Sequence, residues 1–468
     1  MKASGGTVES MVEGAEEDVF EAGIERSLKR LSRLVSGGSL AGSGAVAAAA
    51  AKRAGALRDS VTVPAQRMDE VRWPLPPSKS HMIRWLILAA QAEASTCLRF
   101  EGRPGEDIES VGRCLEQMSV RIERGSDMWT VRGVGPSGFS APLSVLNCDN
   151  SCSGFRFLSV LATRLGTPVM LDGDATLRRR PSESLRSLLR RLGCQISTGE
   201  SGEAMPLLLH GPLSTDALES SRTTPLELDQ SGSSQPLSAL LLSAPALAAP
   251  MHLRMIGSPV SNRHTALSFR LAAETGSEAK VHALNEVVLK PWTVRCPAEV
   301  EIPGDRSIEA FGMLLARLHD APLRVIGRPT TGDSLGAEML DLLDETFEFD
   351  LTDASDLICP LAALMAVGGG GVVTGAEHAR GKESNRIEST IEMLSAFSLV
   401  AESTVDGMRV EGRQVVKAPD GLVNTHGDHR LHMTAACLAS LVGATLSDCG
   451  IHAVSHPDFT ASVRMTRD

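Results

Sequence analysis

Tyrosine is absent from this 468-residue chain, and aromatic residues together make up only 3% of it. Stacking platforms for single-stranded nucleic acid need aromatic faces, so that class of function is excluded. Positive charge is also short. A formal net charge of −11 argues against general binding to nucleic acid or to anionic membranes, because both demand a basic surface. No uninterrupted apolar run reaches the roughly 18 residues that suggest a membrane span. The most apolar stretch, Ser238 to Leu253, is broken by Pro245 and Pro250. The nine cysteines are odd in number and contain no C-x-x-C pair, which points to reduced thiols in a cytoplasmic protein instead of a disulfide framework. The N-terminus lacks the basic-then-apolar layout of a secretory signal. Glu13, Glu16, Glu17, Asp18 and Glu21 are equally out of place in an organelle transit peptide.

What is present is ample core material, 42% hydrophobic against 22% charged residues, in a length that suits two large domains or about three ordinary ones. Residues 1–58 stand apart. Val19, Phe20, Ile24, Leu28, Leu31 and Leu34 recur at helical spacing, then a Gly/Ser break precedes the alanine run Ala45 to Ala51. This reads as a helical extension. Its break has no Gly-Lys-Ser/Thr, so no phosphate loop is expected there.

The rest of the chain is repetitive. Six times a short polar cluster opens a run of small and apolar residues. The openings are Ser78-Lys79-Ser80, Asn150-Ser151-Cys152-Ser153, Ser231 to Gln235, Gly304 to Ser307, Asp353 to Asp356 and Gly427 to Arg430. Small residues on every side of such a helix imply burial all round, with polar residues capping the free N–H groups at its start. After most of these runs comes a β-like stretch and a more charged amphipathic helix, as at Asp107 to Met118, Ser182 to Leu192, Leu335 to Leu343 and Arg386 to Phe397. The pattern predicts an α/β protein. Six buried helices are too many for one core, so two sets of three follow.

Each buried helix start carries partial positive charge and unpaired N–H donors. Basic residues nevertheless sit on or one turn beyond these starts: Lys79, Arg84, Arg156 and Arg430. They oppose the helix dipole unless an anion lies between, so the arrangement points to a cleft for anionic ligands, phosphate above all. His426, His429 and His432 recur every third residue, but the first precedes the helix and no cysteine or carboxylate set completes a tetrahedron. No metal site is expected. Cys148 and Cys152 read as buried thiols.

The motifs themselves resemble those of one family. Leu75-Pro76-Pro77-Ser78-Lys79-Ser80 with Arg84 resembles P-G-S-K-S-x-S-x-R, and Asp149 to Arg156 resembles G-N-A/S-G-T-x-x-R. Asp172-Gly173-Asp174 through Arg180-Pro181 resembles G-D-x-S-L-x-x-R-P. Ser233-Ser234-Gln235 is S-S-Q unchanged, Lys382 to Arg386 resembles K-E-S/T-D-R, and Asp428-His429-Arg430 is D-H-R. From about Asp59 to the C-terminus the chain is similar to the EPSP synthases (3-phosphoshikimate 1-carboxyvinyltransferases) of the enolpyruvyl transferase family.

The resemblance implies a two-domain inside-out α/β barrel in which each domain holds three βαβαββ repeats. The first domain would span 78–303, and the second would combine 59–77 with 304–468. The active site would lie in the cleft between them, closing about two chain crossings. The implied reaction transfers the enolpyruvyl group of phosphoenolpyruvate to the 5-hydroxyl of shikimate 3-phosphate, releasing phosphate, in a cytoplasmic monomer without metal or organic cofactor. Two such substrates bring two phosphates and two carboxylates, which calls for several fixed cations. By resemblance Asp356 and Lys382 serve the hydroxyl, Glu383 serves the methylene carbon, and Lys79 joins the catalytic set. Ser80, Arg84, Ser233, Ser234, Ser261 and Lys382 would hold shikimate 3-phosphate. Lys79, Asn150, Arg180, Gln235, Arg386 and Arg430 would hold phosphoenolpyruvate, supported by Arg156, Cys152 and His429. Read singly, Asp356 and Asp428 are equally N-caps, Glu383 and Arg386 an ordinary i,i+3 pair, and Ser233-Ser234 a helix cap.

Four positions depart from the family pattern. Val454 stands where a phosphate-contacting lysine is usual, His264 replaces a substrate-stacking tyrosine, and His378 replaces an asparagine near the shikimate phosphate. Cys152 stands where the family has a glycine against phosphoenolpyruvate, which implies low sensitivity to glyphosate, an occupant of that pocket. Two other readings remain: a lapsed paralogue that only binds a phosphorylated ligand, favoured by Val454, and the related transferase acting on UDP-N-acetylglucosamine.

Overall fold

The computed structural model describes residues 59–199, 205–282, 285–327 and 334–467, so the extension over 1–58 lies outside the described residues. In chain order the longer helices are α1 (Lys79–Gln91), α2 (Glu106–Gln117), α3 (Cys152–Ala162), α4 (Glu183–Arg191), α5 (Gln235–Ser243), α6 (Asn262–Glu274), α7 (Glu309–His319), α8 (Ile358–Val367), α9 (Arg386–Ala396) and α10 (His429–Val442). The predicted apolar runs are α1, α3, α5, α7, α8 and α10. Small and apolar residues surround them, and nearly every side chain from Met82 to Ala90, or from Ile358 to Ala366, is buried.

Two hydrophobic cores result. One gathers residues from Met82 to Ile302 around α1, α3 and α5, which all pack on one another; the other gathers α7, α8 and α10, also mutually packed. Val61, Val63, Val71, Trp73 and Leu75 belong to the second core although they precede the first in sequence. The chain therefore passes between lobes twice, and the two crossings are tied together. Ser78 N–H donates to Pro303 O at 2.7 Å and Asp305 N–H donates to Pro76 O at 2.8 Å. Gly304 permits this approach: a Cβ there would lie 2.3 Å from the carbonyl oxygen of Gly327.

The sheets line the outside with one face buried, and their order repeats. Met251–Ile256 runs parallel to Leu226–Asp229 on one side and antiparallel to Glu286–Leu289 on the other, which Val281–His282 extends. The sheets containing Ser95–Arg99, Val169–Asp172 and Gly371–Thr374 follow the same rule. So does the sheet in which Val423 bridges to Ala444–Leu446, with the N-terminal strand Val61–Val63 and then Thr466–Arg467 completing it. The sixth sheet differs. Among the described residues it holds only Val71–Pro74 and, parallel to it, Leu323–Ile326. The antiparallel pair is absent among the described residues, and the helix expected over Leu335 to Leu343 is instead a 3₁₀ turn, Ala337–Leu342. Only Ala337 and Leu340 of that turn are buried, too small an apolar face to hold a full amphipathic helix. The other expected charged helices form as α2, α4 and α9.

Candidate active site

The inner helices of both lobes begin at one place. Lys79 and Ser80 open α1, Cys152 and Ser153 open α3, and Ser233, Ser234 and Gln235 open α5. From the other lobe come Asp305 and Ser307, on the turn into α7, and Ser355 and Asp356, on the turn into α8, with Arg430 at the start of α10. All of them line a single cleft, which also receives Arg84, Arg180, Ser261, His264, His378 and Lys382. The caps are local. Ser151 Oγ accepts from Gly154 N–H, Asp305 accepts from Ser307 N–H, and Asp428 accepts from Arg430 N–H. Asp356 caps nothing, and its carboxylate faces cations instead.

Every cation but one is held by a protein acceptor. Lys79 Nζ donates to Asp107 Oδ2 at 2.9 Å. Burial works against this ammonium, but Asp107, Asp356 and Glu383 outweigh it and hold its pKa above the ordinary lysine value. Arg84 donates through Nε to Ser268 Oγ and through its terminal nitrogens to the carbonyls of Ser80 and His264. Arg180 crosses the cleft to pair with Glu383, while its Nε has no partner. Arg430 donates to Asp356 O at 3.0 Å, Ser307 Oγ at 3.0 Å and Asp356 Oδ2 at 3.3 Å. Lys382 is the exception, with no side-chain hydrogen bond or ion pair among the described residues. Burial, with Arg386 and Arg180 adding repulsion, overrides Asp356 and lowers its pKa.

Behind this lining sits a buried hub. The Arg386 side chain is 1% exposed and meets three carboxylates: Asp356 Oδ1 at 2.7 Å, Glu383 Oε2 at 2.6 Å and Asp428 Oδ2 at 2.8 Å. For Asp356, burial alone would raise the pKa, but Arg430, Lys382, Arg386 and Lys79 prevail and hold it well below the usual range. Glu383 follows the same logic through Arg180 and Arg386. Both carboxylates are therefore ionised and available as proton acceptors. His429 is buried beside Glu383, its Nδ1 3.9 Å from Oε1, and burial first, then Lys79 and Arg430, keep it neutral.

The lobes meet around this cleft. Besides Arg180–Glu383, Ser261 N–H donates to Thr352 O at 2.9 Å and Arg263 pairs with Glu338 at 2.6 Å. Ser261 adopts a left-handed conformation, φ 55°, uncommon for serine, exactly where it joins the other lobe.

Five residues expected at the site lie behind the lining. Asn150 donates to Asp174 and Thr176 and accepts from Arg180, so it acts on the cleft by steadying Arg180. Arg156 spans Ser233 Oγ, Gln235 Oε1 and the Pro181 carbonyl, fixing the start of α5. Arg386, Glu383 and His429 form the hub. His426 pairs with Glu392 and His432 faces the Ser447 carbonyl, so with His429 they point three ways. Val454 is buried on a 3₁₀ turn, Ile451–Val454, and its side chain does not line the cleft. Sequence reasoning missed Asp107 and Ser307. The first was legible as an acid in the first turn of α2, but nothing local ties it to Lys79, 28 residues away.

Two stretches, 68–335 and 330–463, match the family model described as EPSP synthase (3-phosphoshikimate 1-carboxyvinyltransferase). A protein named 3-phosphoshikimate 1-carboxyvinyltransferase from Bradyrhizobium diazoefficiens is 31% identical over 436 residues, covering 84% of this chain and 89% of the relative. One of the same name from Herpetosiphon aurantiacus is 32% identical over 427 residues, covering 82% and 94%. Among solved structures, an EPSP synthase from Acinetobacter baumannii superposes with a TM-score of 0.67 at 23% identity, over 87% of this chain and 99% of that one. The enolpyruvyl transferase NikO from Streptomyces tendae gives 0.63 at 17%, over 88% and 99%.

Proposed function

The chain belongs to the EPSP synthase family, and from that premise we propose that its cleft transfers the enolpyruvyl group of phosphoenolpyruvate to the 5-hydroxyl of shikimate 3-phosphate. One observation carries the proposal: helix starts from both lobes and the cations Lys79, Arg84, Arg180, Lys382 and Arg430 face a common space. Such a wall suits two small molecules bearing two phosphates and two carboxylates, because N–H dipoles and fixed cations replace their lost hydration.

In this reading Ser80, Arg84, Ser233, Ser234 and Ser261 receive shikimate 3-phosphate, with His264 and His378 beside them. Lys79, Arg180, Gln235 and Arg430 receive phosphoenolpyruvate. Its anionic groups exchange with the protein carboxylates that now hold these cations, so binding frees Glu383 from Arg180. The hydroxyl adds to the enol carbon as Asp356, assisted by Lys382, accepts its proton, and Glu383, which takes up a proton once Arg180 has left it for substrate, gives that proton to the methylene carbon. Phosphate then leaves and the same side removes the proton again. Arg386 holds Asp356 and Glu383 in place for both steps, and Asn150 and Arg156 position the cleft from behind.

By resemblance to the family we place the enzyme in the cytoplasm as a monomer, a location in keeping with its nine free cysteines; no helix among the described residues is long and apolar enough to cross a membrane. Phosphate release measured with both substrates tests the assignment. Turnover that requires both, and drops at least about 100-fold in Asp356→Asn, is expected. Binding without turnover would make the chain a lapsed paralogue instead.

A further inference from the structure

Two imidazoles line the cleft from opposite lobes. His264 lies in the first turn of α6, and His378 lies on the 3₁₀ turn Glu377–Gly381, with Lys382 directly after it. Among the described residues His264 Nδ1 and both ring nitrogens of His378 have no hydrogen-bond partner. Lys382 has none either, whereas the other lining cations are tied to protein acceptors. Unused polar groups from both lobes thus flank Lys382.

The charges around the two rings keep them neutral near pH 7. Burial comes first for His264, then Arg84 and His81 of α1 and Lys382 across the cleft; Asp356 opposes them, and the ring falls to about 3. Burial again leads for His378, with Lys382 and Arg386 adding to it against Asp356 and the nearby Gly375 backbone, and the ring falls to about 4. Asp353, the other carboxylate on that wall, is taken up by the Asn262 N–H.

A dianion placed between these groups reverses the balance. We propose that His264 and His378 form a proton-accepting clamp on the phosphate of shikimate 3-phosphate, so that this substrate binds together with protons. The inference rests on the reading that this wall receives shikimate 3-phosphate. Each ring takes a proton from solvent as the phosphate arrives, and the new N–H donates to a phosphate oxygen. A neutral imidazole offers one donor and the protonated ring two. The tyrosine and asparagine usual at these positions donate without titrating, so the linkage belongs to this chain. Because the complex holds more protons than its free components, affinity falls as pH rises.

Titration calorimetry of the full-length enzyme with shikimate 3-phosphate, in buffers of different ionisation heat at pH 7.5, counts the protons. The Kd is followed from pH 7 to 8, where a phosphate monoester with a second pKa near about 6 stays dianionic. Uptake of at least about half a proton is expected, with Kd weakening at least about threefold over that pH unit. Shikimate, which lacks the phosphate, should show no uptake. His264→Gln and His378→Asn should each reduce the uptake and together abolish it. Uptake that persists in the double variant, as Lys382 alone would give, overturns the inference. Wild-type enzyme that binds shikimate 3-phosphate without proton uptake overturns it too, and leaves the enzyme reading standing. Binding with uptake but without turnover supports the clamp and removes only the enzyme reading, and no binding at all removes both.

Discussion

Acid should unfold this protein through buried histidines well before its carboxylates titrate. His432 and His456 are 0% and 1% exposed in the second core. His456 meets Trp73 edge-on at 5.2 Å with neither ring nitrogen partnered among the described residues, and His432, beside the His452 ring, has the Ser447 carbonyl at Nδ1 as its hydrogen-bond partner. Burial, with His452 adding repulsion, pushes His456 down to about 3 and His432 to about 4. A folded pKa below the ordinary 6.5 means that the unfolded chain takes up the proton first. Stability is therefore complete above pH 6.5 and drains away as pH falls toward 4. Between pH 7 and pH 5 the loss is about 2 kcal/mol for each ring, about 4 kcal/mol for the pair, against a domain stability of about 5–15 kcal/mol. Asp356 and Glu383 add little in this window, since carboxylates are ionised in both states above their ordinary values near 4. Urea unfolding followed by circular dichroism at the two pH values measures the effect. His456→Phe keeps an aromatic edge against Trp73 and should remove one ring's share of the loss, about 2 kcal/mol, while His264, His378 and His429, also lowered by burial, keep theirs. A wild-type midpoint that does not move between pH 7 and 5 would refute the reasoning, as would a His456→Phe protein that loses as much as wild type.

Arg386→Met leaves Asp356, Glu383 and Asp428 without their shared counter-ion and should cost about 3–5 kcal/mol of stability by thermal or urea unfolding, together with turnover. The lowered pKa of Lys382 places the alkaline limb of the pH–turnover profile below that of an ordinary lysine, and Lys382→Arg should move that limb upward, whatever the fall in rate. Wild-type turnover should resist micromolar glyphosate. Cys152→Gly, which clears side-chain volume beside Arg180, should become measurably more sensitive in the same inhibition assay.

The repeat was legible because α1, α3, α5, α7, α8 and α10 are apolar on all faces and each opens with residues that cap a helix. The hub was not. Arg386 meets Asp428 over 42 positions and Asp356 over 30, and Glu383 meets Arg180 across the cleft, so these carboxylates looked like local caps and i,i+3 partners. Asn150 and Arg156 were legible as site residues by motif, yet they act through Arg180 and through Gln235 and Ser233, a distinction only packing decides. The weak point was the repeat containing Leu335 to Leu343, where helical periodicity suggested a helix but too few of those residues reach the core.

That shortened repeat shows what the outer wall is for. With its sheet holding only Val71–Pro74 and Leu323–Ile326 among the described residues, the chain leaves Ile326, Leu342 and Phe347 in water, yet the turn into α7 still delivers Ser307 to Arg430 at 3.0 Å. Chemistry hangs on the inner ring of helices, and the strands around it are cladding. Loops and hairpins on that exterior can be trimmed or grafted one unit at a time, and the cleft is insulated from the change by a layer of leucine and alanine.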